Sequence, residues 1–288
     1  MNRTLKHYLE LIRLPGLFTA QADILAAGLI TGIYLPELLL LIIATSCFFS
    51  AGMALNDYFD YQEDFRERPF RPLPSGRISR SAALILGVSL LLAGVFAAAL
   101  AGPRSFWIGL ALAAAILLYD GGVKKLPVLG PAAMALCRYL NLLMGLSIAP
   151  FEGWGWIPLI SWLYILGVTV LSGKETCGGR VPGTLSICCT AFAIMALAVY
   201  FFHLQGLVPH LILPVLAIGF AMIQSKRVLT LLDHHRPEDF QKVMKHLLLS
   251  IIVLNAILVT GFAPVYQGIL VLVLLVPARL SVRLFKVT

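Results

Sequence analysis

The stretch NDYFDYQEDFRERPFRPLPSG, residues 56–76, gathers five carboxylates within eleven residues: Asp57, Asp60, Glu63, Asp64 and Glu67. Arg66, Arg68, Arg71 and Arg77 follow at once. The rest of the chain is oily. Of 288 residues, 59% are hydrophobic and only 12% charged, and the mean hydropathy is +0.90. A soluble domain is nearer half apolar and a quarter charged, and a span needs about 20 apolar residues. Ten segments qualify as candidate helices: 14–34, 36–55, 81–101, 104–119, 128–149, 156–172, 184–204, 207–223, 246–262 and 266–284. No alternating strand pattern is present, which argues against a membrane β-barrel. The first apolar run is long and many others follow, so it reads as a first span and not as a cleaved leader. The expected fold is therefore an all-α polytopic membrane protein. It is a single domain over 1–288, a bundle of nine to ten transmembrane helices around a central cavity.

The net charge of +8 does not point to nucleic acid, because of where the charge lies. Lys and Arg collect at the N-terminus (Arg3, Lys6, Arg13), in the loops about 56–80, 120–127, 173–183 and 224–245, and at the C-terminal end (Arg279, Arg283, Lys286). With ten spans, all of these fall on one face, leaving only Arg104 opposite and Arg138 inside span five. Basic loops stay cytoplasmic. Both termini, the acidic loop and the cavity mouth are thus expected on the cytoplasmic side, in a bacterium that of the inner membrane. The five cysteines form no C-x-x-C pair and imply neither a disulfide framework nor a zinc site. The segment LLDHHRPEDFQKVMKH reads as a short cytoplasmic helix, with His234 and His235 as solvated loop residues. Charged loops after spans two and six hint at two four-helix halves.

If span two stays helical past Asn56, then Asp57, Asp60 and Asp64 share an arc of roughly 60°. Three carboxylates on one face repel unless cations intervene. Hard oxygens at this spacing suit Mg2+, which takes one or two carboxylates and completes its shell with water and substrate phosphate. The arginines that follow can hold phosphate oxygens directly. Pro69, Pro72 and Pro74 then stop the helix, and Ser75 and Gly76 turn the chain into span three. The plainer alternative is a solvated juxtamembrane loop, but the prolines describe a shaped segment.

This pattern resembles the first signature of the UbiA-type intramembrane prenyltransferases, carried by Asn56, Asp57, Asp60, Asp64, Arg68, Pro69, Arg71, Pro72, Pro74, Ser75 and Gly76. Family members move a prenyl group from a polyprenyl diphosphate to a lipophilic acceptor with Mg2+, and most are described with nine helices. Known acceptors include aromatic rings and glycerol lipids. The resemblance implies Mg2+ at Asn56, Asp57, Asp60 and Glu175. It makes Asp64 a ligand or a base. It places Arg68, Arg71, Tyr119, Lys124, Lys125 and Lys174 by the diphosphate, with the middle ones drawn from LYDGGVKKLPVLG. In CRYLNLLMG it implies an acceptor pocket at Arg138 and Asn141. These two share a helix face, and an intramembrane Arg is a functional hypothesis by default. A structural pair with a carbonyl or a buried acid is the alternative there. The second family signature is eroded. The loop reads SGKETCGGRVPGTLS, with Lys174 and Glu175 at its opening and Cys177, Gly178 and Gly179 where aspartates are usual. The expected activity is prenyl transfer within the membrane, to an acceptor expected to be aromatic. A carrier that keeps the fold and binds an isoprenoid or other lipid is the rival reading. A CDP-alcohol phosphotransferase is disfavoured, because its D-G-x-x-A-R signature is missing.

Overall fold

A chain crossing hydrocarbon must satisfy its own backbone N–H and C=O groups, and here it does so with helices. The computed structural model describes residues 3–32, 35–150, 155–172, 182–233 and 236–284, and among them the regular structure is entirely helical. An amphipathic helix α1 (Arg3–Leu11) precedes α2 (Leu14–Thr31) and α3 (Leu35–Phe59). A short α4 (Tyr61–Glu67) leads through the proline turn to α5 (Arg80–Ala101) and α6 (Pro103–Asp120). A 3-10 turn at Val123–Lys125 precedes α7 (Leu129–Leu146), α8 (Ile157–Ser172), α9 (Pro182–Leu204) and α10 (Ile212–Leu229). A second 3-10 turn, Thr230–Leu232, leads to α11 (Pro237–Thr260), α12 (Val265–Leu272) and α13 (Leu275–Leu284).

The protein is an integral membrane protein. Among the described residues eight helical segments are long and apolar enough to cross a membrane, counting α12 and α13 together. The other two expected spans are occupied by α8, apolar but only 16 residues long, and by α6, which carries Arg104 and Asp120 at its ends.

Two local expectations change, and one element is added. Among the described residues, segment 224–245 holds no separate short α-helix: α10 runs on to Leu229, the 3-10 turn Thr230–Leu232 follows, and α11 starts at Pro237 and runs on as an apolar span, while His234 and His235 lie outside the described residues. Pro at the first helical position and Glu238 and Asp239 in the first turn begin that helix at once. The last span breaks between α12 and α13, because the ring of Pro277 clashes with the carbonyl four residues back, at Val273. The N-terminal stretch, read in the sequence only for its basic residues, forms helix α1. Its Leu11 is buried with Ala54, Leu73, Ile78 and Ala83.

The two-halves expectation also gives way. One apolar core joins α3, α5 and α6, and a second joins α7 to α13 with most of α2. Helix α2 touches α3 but also α7, α11 and α13, so the first span is the axle of the second group. The tight crossing of α3 and α5 depends on small residues, as is usual where lipid supplies no squeezing force. A Cβ at Gly87 would stand 2.6 Å from Leu55 Cγ, and one at Gly94 2.9 Å from Phe48 Cε1.

Candidate active site

The acidic stretch keeps its helical register through a small break. Asp60 is a turn residue, yet its N–H bonds to the Asn56 carbonyl at 2.9 Å, and the N–H of Asp64 bonds to the Asp60 carbonyl at 2.8 Å. Asn56, Asp57, Asp60 and Asp64 therefore descend one side of α3 and α4. Asp57 and Asp64 are buried, and basic side chains meet them. Arg13 Nη2 is 3.0 Å from Asp57 Oδ1. Arg71 Nη1 lies 3.4 Å from the same oxygen and 2.7 Å from Asp64 Oδ2. Arg68 adds a looser contact to Asp64 at 3.7 Å.

Arg71 reaches in because the R-P-L-P-S-G sequence folds back on itself. Ser75 donates both its hydroxyl, at 2.6 Å, and its N–H, at 3.0 Å, to the Arg71 carbonyl. Gly76 takes φ +71°, which a side chain rarely adopts. Burial lowers the pKa of Arg71 and the nearby Arg13 and Arg68 add to this, against the pull of Asp57 and Asp64. A guanidinium stays charged nonetheless.

The second wall comes from the end of α6. Tyr119 and Asp120 close that helix, and the turn that follows brings Lys124 Nζ to 2.7 Å from Asp60 Oδ1 and 3.8 Å from Asp120 Oδ1. Lys124 Nζ is buried and makes no well-aligned hydrogen bond. The Asn56 amide donates to Asp120 Oδ1 at 3.0 Å. Lys125 faces outward and approaches Glu63 at 3.7 Å. A cleft of about 330 Å³ runs alongside, lined by Phe59, Asp60, Gln62, Glu63, Arg66, Glu67 and Lys125.

Arg138 and Asn141 lie elsewhere, in the middle and later turns of α7 (Leu129–Leu146). Arg138 Nε is 2.9 Å from Asp23 Oδ2, and its Nη2 donates to the Thr19 carbonyl. Asn141 donates to Asp23 Oδ2 at 2.8 Å and accepts from Thr45 at 2.6 Å. Asn255 donates to Asp23 Oδ1 at 2.7 Å. Asp23 and Asn255 are both 0% exposed. Arg138 has thus found both a carbonyl and a buried acid. Lys174 and Glu175 lie outside the described residues, as do Cys177, Gly178 and Gly179, whereas the end of the eroded signature, from Pro182, opens α9.

Sequence reasoning missed four participants. Arg13 was counted only as a cytoplasmic charge. Asp120 stood inside the quoted LYDGGVKK stretch without a role. Asp23 and Asn255 are single polar residues inside spans, a signal strong enough to have singled out Asp23.

A family model described as the UbiA prenyltransferase family matches residues 16–177. A digeranylgeranylglyceryl phosphate synthase of Methanoregula boonei is 33% identical over 201 residues, covering 62% of this chain and 70% of the relative. The synthase of the same name from Methanothrix thermoacetophila is 33% identical over 182 residues, covering 62% and 67%. These relatives do not support the expected aromatic acceptor. Among solved structures, a UbiA homolog from Archaeoglobus fulgidus bound to GPP and Mg2+ superposes with TM-score 0.74 at 16% identity, over 93% of this chain and 99% of that one. A digeranylgeranylglyceryl phosphate synthase structure gives TM-score 0.70 at 21% identity, over 90% and 99%. The matched span runs from the first turn of α2 past the end of α8 and takes in the whole acidic stretch, and the chain belongs to the UbiA prenyltransferase family.

Proposed function

We propose that this protein transfers a prenyl group from a polyprenyl diphosphate to a lipophilic acceptor inside the membrane, in the presence of Mg2+. The observation that carries the reading is the contact of Asp60 with Lys124, a buried ammonium with no aligned hydrogen bond, next to Asn56 and beside an open cleft. A carboxamide, a carboxylate and an ammonium together suit a metal-bound diphosphate.

The donor set fits Mg2+. Asn56, Asp57 and Asp60 offer hard oxygens at the edge of the bundle. Among the described residues no three acids, histidines or cysteines converge as a ready-made metal group. That agrees with an ion that draws on substrate phosphates for the rest of its shell. Asn56 and Asp60 would hold it, with Asp57 behind them and Glu175 added from the sequence. When bound, the ion supplies positive charge to the diphosphate oxygens. Lys124, Lys174, Arg68 and Arg71 add charge where the leaving group becomes more negative. The C–O bond to the diphosphate breaks with its electron pair going to the leaving oxygen. Apolar helix walls exclude water until the acceptor captures the prenyl carbon.

The relatives' names support a glyceryl phosphate lipid as acceptor, whose hydroxyl oxygen forms the new bond and loses its proton. The charge bias supports a cytoplasmic entrance. Purified protein in detergent with Mg2+ and geranylgeranyl diphosphate should release pyrophosphate with a glyceryl phosphate lipid and not with a hydroxybenzoate. In sealed vesicles the donor, whose diphosphate anion does not cross hydrocarbon, should react only when the cytoplasmic face is outward. Turnover only from the opposite face would reverse the orientation. No pyrophosphate with any donor and acceptor would leave a lipid carrier as the reading, as the eroded second signature would then suggest.

A further inference from the structure

Asp120 is 4% exposed and no motif accounts for it. Its Oδ1 accepts the Asn56 side-chain N–H at 3.0 Å across 64 residues of sequence, and Lys124 Nζ stands 3.8 Å from the same oxygen. An ionised carboxylate is acceptor-only, so it can pair with just one end of a carboxamide. Facing Asp120, Asn56 must present its nitrogen, and its oxygen is turned the other way. Without that partner the terminal amide torsion is broad and roughly two-fold. A hard cation needs the oxygen end.

We infer that Asp120 is a positioning residue of the metal–diphosphate site. It fixes the Asn56 carboxamide with its oxygen available to a divalent cation shared with Asp60, and it gives Lys124 a second anchor when that cation displaces the ammonium from Asp60. The inference rests on the site described under the proposed function. It concerns metal binding before any chemistry. Groups that orient a metal ligand are commonly worth 10–100-fold in metal affinity.

The test uses Mn2+ alone, a hard divalent probe, titrated by electron paramagnetic resonance into the full-length protein in detergent, with thermal unfolding read in parallel. Asp120→Ala should weaken Mn2+ binding by about tenfold while the metal-free melting temperature holds. Asp120→Asn keeps an acceptor oxygen at that place and should recover most of the affinity. Asp239→Asn, on the exposed start of α11, serves as control. Wild-type affinity in Asp120→Ala overturns the inference. So does equal loss in both variants without a change in melting, which would make Asp120 a direct ligand. A fall in metal-free melting that tracks the lost affinity would reduce Asp120 to a fold residue, and a wild type that binds no Mn2+ also refutes it. A wild type that binds Mn2+ in an Asp120-dependent way but never releases pyrophosphate sinks the transfer reading alone.

Discussion

Asp57 and Asp60 are three residues apart on one helical face, yet their surroundings set them different tasks. Asp57 is enclosed by Arg13 and Arg71, and Arg71 is itself buried and shared with Asp64. Removing one partner of a buried charge group commonly costs about 3–5 kcal/mol, because the other charge is left behind. Asp57→Ala should therefore lower the metal-free melting temperature as well as any metal affinity. Asp60 faces one ammonium, which Asp120 also approaches, and an open cleft, so Asp60→Asn should lower melting much less than Asp57→Ala and abolish the Mg2+-dependent shift produced by prenyl diphosphate. Thermal unfolding in detergent, with and without Mg2+ and donor, separates the two; indistinguishable profiles would show the acids acting only as a diffuse charge. The shared face was readable in the sequence because helical spacing is local. The partners were not: Arg13 lies 44 residues from Asp57 and Asp120 64 residues from Asn56, and nothing in a one-dimensional pattern joins them. Arg13 also takes a left-handed φ of 49° at the start of α2, a conformation uncommon outside glycine that no periodicity announces.

Between α6, ending at Asp120, and α7, starting at Leu129, the chain has only residues 121–128 in which to reverse and deliver Lys124 to Asp60. Gly122 makes the reversal with φ +144°. Gly130, at the start of α7, lies flush against the turn: a Cβ there would be 2.6 Å from the Lys124 carbonyl oxygen. That atom belongs to the backbone, so Gly130→Ala must move the turn and Lys124 with it. Binding of prenyl diphosphate should weaken while the helical content stays. Gly219→Ala in α10 has open space around it and should bind as wild type. Isothermal titration of the two variants decides the point, and equal affinities would mean that Lys124 is placed by its own flexible stem. At this scale hydropathy located most helices to within a few residues, since long apolar runs have one solution in lipid, but it placed α10 five to six residues early and began α11 nine residues late, where their polar ends carry no apolar signal. It missed α1 and α4, whose polar composition hid them from a search for spans. It also ran α12 into α13, although Pro277 stood in view.

The architecture of the bundle was legible as a class and not as an arrangement. Counting loops suggested two equal halves, whereas packing draws α2 into the later helices through Asp23, Arg138, Asn141 and Asn255. Loop spacing carries no information about which helix ends up central, because lipid-facing and protein-facing residues are equally apolar here. The buried node has a consequence for biogenesis. Ribosomes deliver α2 before α7 and α11, so Asp23 arrives before Arg138, Asn141 or Asn255 has been translated. An Asp at the centre of a membrane helix costs about 2.5–3.5 kcal/mol on insertion scales. The nascent first span is thus a provisional insert, waiting for α7 and then for α11 to dock on it. Nascent chains released after Asp120 should be cleared by membrane proteases faster than chains released after Leu146, which already carry Arg138 and Asn141. Asp23→Leu should lengthen the half-life of the shorter product in a pulse-chase while shortening that of the complete one. If both truncations decay alike with and without the substitution, the acid imposes no waiting period. Otherwise the residue that unites the finished bundle also sets the timetable by which it is assembled.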